Sequence, residues 1–488
     1  MIAKYNKLIA VACLMVSGCF PALADHSLPP KLQTQIKDHL QQYMDSYGLV
    51  GYSLAILRNG ELVYTNAEGL ASVELQTPVT TDHLFPMFSV AKIFVLLSFT
   101  KLVEQGKVEL DAPLDRYLAN LPDTWSKVSV RQALSHQSGF PEYYLKDYEL
   151  PDTPEKALAM VYQKPFLFET GSRSRYTQTN FLLIRSIAEK VSGRKMLDLI
   201  KADSVDKLKL KHTYFAGQYG VIPGRVASYL PGPDGGLVGN GGFDWPEYFL
   251  TSSAGVNSNT ADLVTLWQAV LAGKIVSLDL LYKTWLPLTY TDGNTARFSN
   301  GWEYNEFGGF TAVGHGGGNK VGVRHYFHRD RPDDNVTVIY LGNGSKKAFY
   351  PGFPSSGIAN MLLPGAQSPL DGLWEHMRLH VFGDDWKSVR AYYRDFRAGH
   401  KQIATEATLN NLGYNVLFEL GAKAALPLFE LNVQEHPGSA NPYDSLGEAH
   451  LLLKNKQQAL ANYKRAYALD PNNENAKKII DRLEAEAK

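Results

Sequence analysis

The sequence predicts a mixed α/β fold, a mostly antiparallel sheet with helices on its faces, followed by an all-α region. Three observations predict it. An amphipathic helical pattern at 32–47 leads into two strand segments, 51–57 and 61–64, joined by an Asn-Gly turn. A nearly all-apolar helix follows at 85–103, and such a helix has to be buried. From Glu406 onward a repeat of about 34 residues sets in, the mark of stacked helix pairs.

Taken in order, Leu32, Ile36, Leu40 and Met44 form one stripe of the first helix. Residues 51–57 and 61–64 flank Asn59-Gly60, a dipeptide suited to a tight hairpin turn because both residues tolerate positive φ. Helix, hairpin and buried helix together call for a sheet covered by helices. Residues 1–24 read as an export signal, with Lys4 and Lys7 ahead of the apolar 8–16 and small residues at Ala22-Leu23-Ala24. The alternative is a lipobox, Val16-Ser17-Gly18-Cys19, with a lipid anchor at Cys19. Both readings put the mature chain outside the cytoplasm, periplasmic or secreted in the first case and an outer-membrane lipoprotein in the second. Cys13 and Cys19 are the only cysteines, so the mature chain has no internal disulfide. Lysine plus arginine and aspartate plus glutamate are each 49 in 488 residues, a balance that gives no support to nucleic acid as a partner.

The chemistry centres on Ser89 and Lys92, three apart at the start of the buried helix and so on one face of it. A serine hydroxyl needs a base, and a lysine serves only when neutral. Burial achieves that, at roughly 4–5 kcal/mol for a pKa brought from about 10.4 to about 7. The same spacing recurs at Ser98/Lys101, Ser192/Lys195 and Ser204/Lys207. Context sets these aside: Ser98 lies deep in the apolar helix, Gly193 ends the helix of Ser192, and Ser204 is expected on a charged surface. Ser89 alone sits at a helix start, where unpaired N–H groups favour developing negative charge.

Further along, Ser135-His136-Gln137-Ser138-Gly139-Phe140 reads as a structural turn bordering a pocket, because His136 has no acidic partner at a useful spacing. Tyr176 precedes an apolar helix at 181–191, and nearby positive charge, from the adjacent arginines and the lysine of the buried helix, is expected to lower its phenol pKa. The glycine-rich stretch 230–246 lacks the ending of a phosphate cradle and reads as a mobile loop. Glycines at 314 and 316–318 lie in a strand-like setting, where something approaches the backbone closely, either another strand or a substrate.

Ser89-Val90-Ala91-Lys92, Tyr176-Thr177-Gln178 and His315-Gly316-Gly317, in this order, resemble the three signature motifs of the serine β-lactamase-like family. That family includes class C β-lactamases, penicillin-binding DD-peptidases, D-aminopeptidases and esterases. The resemblance spans about residues 30–365. It implies Ser89 as the acylated nucleophile, Lys92 as general base, Tyr176 as proton relay and an oxyanion hole from the N–H groups of Ser89 and Gly318. It also implies a helical subdomain carrying Tyr176, and substrate contacts from Gln178, His315, Gly316 and Gly317. Two departures bear on the substrate. Gln178 stands where the family usually has Asn, and His315-Gly316 where β-lactamases usually carry Lys and Thr or Ser. A histidine of ordinary pKa is only roughly a quarter protonated at pH 7, so carboxylate recognition weakens.

After 366–405, a helical linker, Leu409, Leu412, Gly413, Val416, Ala425, Phe429 and Pro437 recur as Tyr443, Leu446, Gly447, His450, Ala459, Tyr463 and Pro471. This is the tetratricopeptide pattern, and it extends over 406–488 with a polar capping helix. The repeats either dock on the enzyme or offer a surface to a protein or peptide partner. His376 and His380 read as ordinary surface histidines, and no metal or cofactor is implied. The expectation is an exported serine hydrolase acting through a Ser89 acyl-enzyme on ester or amide bonds. The alternatives are a penicillin-binding DD-peptidase or weak β-lactamase, and a catalytically idle scaffold binding through its repeats.

Overall fold

The computed structural model describes residues 27–144, 150–216, 220–240, 245–318 and 320–486; the expected export signal and both cysteines lie outside the described residues. Its centre is an eight-stranded sheet. The strands are β1 (Gly51–Arg58), β2 (Glu61–Ser72), β3 (Thr77–Pro78), β4 (Phe298–Ser299), β5 (Trp302–Phe307), β6 (Phe310–Gly317), β7 (Val321–His328) and β8 (Arg331–Gly342). They lie in the order β3-β2-β1-β8-β7-β6-β5-β4, and every neighbouring pair is antiparallel. Asn59 and Gly60 turn the β1–β2 hairpin with φ of 52° and 81°, the left-handed pair that the sequence required.

Both faces of the sheet are covered, which is why β1 reads as a continuous apolar run rather than an alternating one. Ala55, Leu57, Val313, Val323, Ile339 and Leu341 face helix α2 (Ala91–Glu104) and a helical subdomain threaded between α2 and β4. That subdomain contains α3 (Gln178–Ser192), and α4 (Thr260–Leu271) returns the chain to the sheet. Val90, Ile93, Phe94, Val95, Leu96, Leu97 and Phe99 are each at most 1% exposed. Their burial contributes roughly 10–20 kcal/mol, well above the cost of the lysine buried among them.

Leu54, Ile56, Tyr326, Val336, Val338 and Tyr340 face the other way, onto α1 (Pro30–Tyr47) and α5 (Gly352–Leu362). The same apolar cluster continues through α6 (Pro369–Phe382) and α7 (Trp386–Gly399) into α8 (Glu406–Leu420), α9 (Ala422–Glu435) and α10 (Ala440–Leu452). Residues 366–405, expected as a helical linker, are thus α6 and α7, packed between the sheet side and the terminal helices. Arg378 on α6 donates to Glu419 on α8 at 2.5 Å, and Arg397 on α7 pairs with Glu435 on α9. With α11 (Lys456–Leu469) and α12 (Glu474–Glu486), the helices form consecutive antiparallel pairs, and α8 and α10, like α9 and α11, start 34 residues apart. The recurring glycines do the same job twice: a Cβ at Gly413 would meet the Phe429 ring at 2.6 Å, and one at Gly447 the Tyr463 ring at 2.9 Å.

Two expectations change. Ser204 is fully buried in a π-helical turn, Lys201–Val205, rather than on a charged surface, because neighbouring Asp203 is pulled inward by Lys101 at 2.6 Å. The stretch 230–246 forms, over its described part, a small hairpin, Tyr229–Pro231 with Leu237–Gly239, tightened by Asp234 Oδ1 accepting from Gly236 N. As for the histidines of α6, the His376 ring stacks on Tyr392 at 3.6 Å between centroids, and His380 lies 3.2 Å from Asp385.

Candidate active site

Ser89 stands in a 3-10 turn, Phe88–Val90, immediately ahead of α2. The sequence had suggested helix from the start of this stretch, but Phe85–Pro86 pairs as a short strand with Val256–Ser258, and Phe88 takes φ 45°. A phenylalanine in that region stores strain that only a tightly packed surround tolerates. The turn is clasped by the third motif. A Cβ on Gly317 would come within 2.3 Å of the Met87 carbonyl oxygen, and Gly318 faces the Phe88 ring. The close approach expected at these glycines therefore divides: at Gly314 the visitor is strand β7, with Val323 O 1.9 Å from a notional Cβ, and at Gly317 it is the serine turn.

Tyr176 OH donates to Ser89 Oγ at 3.0 Å. Lys92, fully buried, donates from Nζ to Ser253 O at 2.8 Å and to Gln178 Oε1 at 3.1 Å, and its Nζ lies 5.1 Å from the ring centres of Tyr176 and Phe181. Burial lowers its pKa to about 7 against the opposing pull of Glu142 and Glu303. A neutral amine has two N–H groups and one lone pair. In its neutral form, with both donors engaged, the amine keeps one lone pair free.

The Tyr176 phenol does not behave as its arginine neighbours suggested. Arg173 and Arg175 are exposed, while desolvation raises the phenol above its ordinary value, with Glu303 and Glu142 adding to the rise against the bond to Ser89. Tyr176 is a neutral donor here. Its ring is held by His136, 4.5 Å away, and by Phe298 at 5.9 Å. His136 is fully buried with φ 56°, and its Nδ1 faces Thr177 N at 3.3 Å and Asn180 Nδ2 at 3.0 Å. Burial first, then Lys92 and His315, push it well below the ordinary histidine range. The turn around it bonds to the Tyr176 loop through Arg175 N to His136 O and Gly171 N to Gln137 O, so His136 is the structural residue that its sequence setting implied.

His315 likewise departs from the partial charge expected of it. It is 1% exposed, and desolvation lowers its pKa to about 4, so at neutral pH it carries no charge. Gly316 lies between it and a partly buried ion pair: Glu303 accepts from Gly316 N at 3.3 Å and from Arg324 Nη2, and Arg324 also donates to Tyr350 OH at 2.6 Å. The charge of Arg324 keeps Glu303 ionised in spite of its burial. On the opposite wall, Glu142 accepts from Gln178 N at 2.7 Å and Tyr144 N at 3.1 Å, while burial raises its pKa. Glu142, Glu303 and Ser253 were not singled out from sequence. Ser253 acts through its carbonyl, which no residue type reveals, and the two glutamates reach the site from a loop and from strand β5, both remote in the chain.

A serine at the head of a buried helix, a lysine one turn on whose pKa burial lowers, and a tyrosine hydroxyl bonded to that serine make the site of a serine hydrolase of the β-lactamase-like fold. Residues 36–353 match the Beta-lactamase family model, and the chain belongs to that family. Among curated relatives, it is 24% identical over 353 residues to a putative D-alanyl-D-alanine carboxypeptidase of Escherichia coli, covering 62% of this chain and 80% of that one. It is also 24% identical to a D-aminopeptidase of Brucella anthropi, over 59% of this chain and 54% of the relative. Among solved structures, the octameric penicillin-binding protein homologue from Pyrococcus abyssi superimposes with a TM-score of 0.59 at 24% identity, over 71% of this chain and 81% of that one. A D-amino acid amidase from Ochrobactrum anthropi gives 0.54 at 22%, over 69% and 98%. These two likenesses carry the fold.

Proposed function

We propose that the protein is an exported serine amidase or peptidase that works through a Ser89 acyl-enzyme and also accepts activated esters. The observation that carries this is the bond from Tyr176 OH to Ser89 Oγ beside a lysine lowered to about 7. Ser89 Oγ attacks the scissile carbonyl as Lys92 Nζ takes its proton. Tyr176, kept neutral, passes a proton to the leaving nitrogen and is resupplied from Lys92. The oxyanion is received by the N–H groups of Ser89 and Gly318, a donor pair each member of which is worth about 10²- to 10³-fold in rate. Water then repeats the sequence to release the acid.

The substrate preference follows from charge. In place of a permanent cation at the third motif the cleft has an uncharged His315, with carboxylates at Glu142 and Glu303 on either side of Lys92. That disfavours a penicillin or peptide carboxylate and favours an amine-bearing acyl group, as D-aminopeptidase and amidase relatives suggest by name. Gln178 serves mainly by steadying Lys92. The helices from 406 onward are read as tetratricopeptide repeats docked on the enzyme through α6 and α7, their 34-residue spacing supporting the reading.

Intact-mass analysis of the protein and its Ser89→Ala variant, after exposure to a fluorophosphonate, a penicillin, an amino-acid p-nitroanilide and a p-nitrophenyl ester, tests this. A Ser89-dependent adduct with turnover of anilide or ester is expected. A folded protein with no adduct from any probe would sink it, and preferential acylation by penicillin would move the assignment to a penicillin-binding peptidase.

A further inference from the structure

The two histidines that flank Tyr176 are wired in opposite senses. His315 Nδ1 faces two acceptors, the Gly316 carbonyl oxygen at 2.7 Å and Glu303 Oε1 at 3.5 Å. An uncharged imidazole carries one N–H, and acceptors on Nδ1 hold it there. Nε2, on the opposite edge of the ring, is then a bare acceptor. It is buried and has no hydrogen-bond partner among the described residues, and the ring centre is 5.9 Å from that of Tyr176. His136 is the reverse: its Nδ1 faces the Thr177 N–H and the Asn180 amide nitrogen, so its N–H sits on Nε2, also without a partner among the described residues. On His315 the Gly316 carbonyl oxygen is the nearer acceptor, and Glu303, anchored by Arg324 and Gly316 N, adds a second, charged one behind it.

We propose that Glu303 is a positioning residue that fixes His315 in its Nδ1–H form, so that the third motif offers Nε2 as a hydrogen-bond acceptor beside Tyr176. This acceptor admits substrates with an ammonium or N–H near the scissile carbonyl and turns away those with a carboxylate there. The substrate half of the inference rests on the Ser89 acyl-enzyme reading; the tautomer half does not. A lysine at this position would present the opposite polarity, a donor and a cation. A carboxylate approaching Nε2 instead meets a lone pair with an anion behind it. The lowering of His315 to about 4 by burial agrees with a ring that stays uncharged through the working range.

The test begins with the unmodified full chain, labelled with ¹⁵N only in histidine. Ring-nitrogen shifts identify the protonated nitrogen, and the His315→Gln variant assigns the signals. The expected result is Nδ1 protonated and Nε2 bare from roughly pH 6 to 8, the range in which an ordinary histidine titrates. An Nε2–H ring or an imidazolium in that range overturns the proposal whether or not the enzyme turns over. In protein already shown to acylate at Ser89, kcat/KM for D-alanine p-nitroanilide is compared with that for its N-succinyl derivative. The unmodified enzyme is expected to favour the free amine by about tenfold or more, and His315→Lys to reverse the preference. Glu303→Gln should move the His315 signals and raise KM for the amine with kcat nearly kept, and Glu303→Asp should restore both. Unmoved signals in Glu303→Gln, or a substrate preference indifferent to His315→Lys, would overturn it.

Discussion

Lys92 Nζ donates to the backbone carbonyl of Ser253 at 2.8 Å, a bond between a buried amine and an oxygen that cannot be titrated away. With Gln178 Oε1 as second acceptor, this arrangement solvates the amine just enough to keep it in the core without supplying the full counter-charge that would protonate it. The function of the site depends on that incomplete compensation.

The first prediction concerns Lys92 itself. Its pKa is lower folded, about 7, than the 10.5 of an unfolded lysine, so the folded state binds fewer protons between those values. Stability should therefore rise with pH across that window and be least below it. Lys92→Met should abolish acylation, by roughly 10³-fold or more, yet raise stability at pH 7 by about 1–3 kcal/mol. Thermal unfolding of the two proteins at pH 7 checks this, and a less stable variant would contradict it.

The rate of acylation should follow the free amine. In kcat/KM against pH, an acid limb with an apparent pKa near 7 is expected. Glu142 holds the lysine pKa up, so Glu142→Gln should shift that limb toward acid. A shift toward base would show that Glu142 acts otherwise.

Tyr176→Phe removes the hydroxyl bonded to Ser89 and should lower kcat by about 10²- to 10⁴-fold with a small change in KM. Because burial raises the phenol, ultraviolet titration should show no Tyr176 ionisation at neutral pH. A tyrosinate there would restore the lowered phenol pKa expected from the sequence.

Adjacent glycines should respond differently. Gly317→Ala places a methyl 2.3 Å from Met87 O and should push the third motif off the serine turn, abolishing acylation. Gly316→Ala meets Glu303 and Tyr350 at 3.8 Å, ordinary contact, and should retain activity within a few-fold. Active-site titration with a fluorophosphonate distinguishes them.

In the terminal helices, Gly413→Val would drive a side chain into the Phe429 ring and should cost about 1–3 kcal/mol of stability. Since Leu409, Leu412 and Val416 share one apolar cluster with the sheet, thermal unfolding should report the loss in the catalytic part too. A separate low-temperature transition confined to the helices would show the two parts to be uncoupled.

Much of this was legible because it is local. The Asn59-Gly60 hairpin, a buried apolar helix within 85–103, the Ser89–Lys92 spacing and the 34-residue repeat each follow from side-chain type and periodicity. Residue types and spacing alone put a serine at the head of a buried helix with a lysine one turn on, and glycines in the strand that meets them. The charge states, by contrast, depend on how distant segments pack around each group. Tyr176 was expected to be lowered and is raised, and His315 was expected partly cationic and is uncharged. A pKa is set by the dielectric and the charges brought near from other elements, here Glu142 from a loop and Glu303 from strand β5. Which atoms of the backbone serve as acceptors, Ser253 O among them, likewise depends on how distant segments are packed, and no residue type records it.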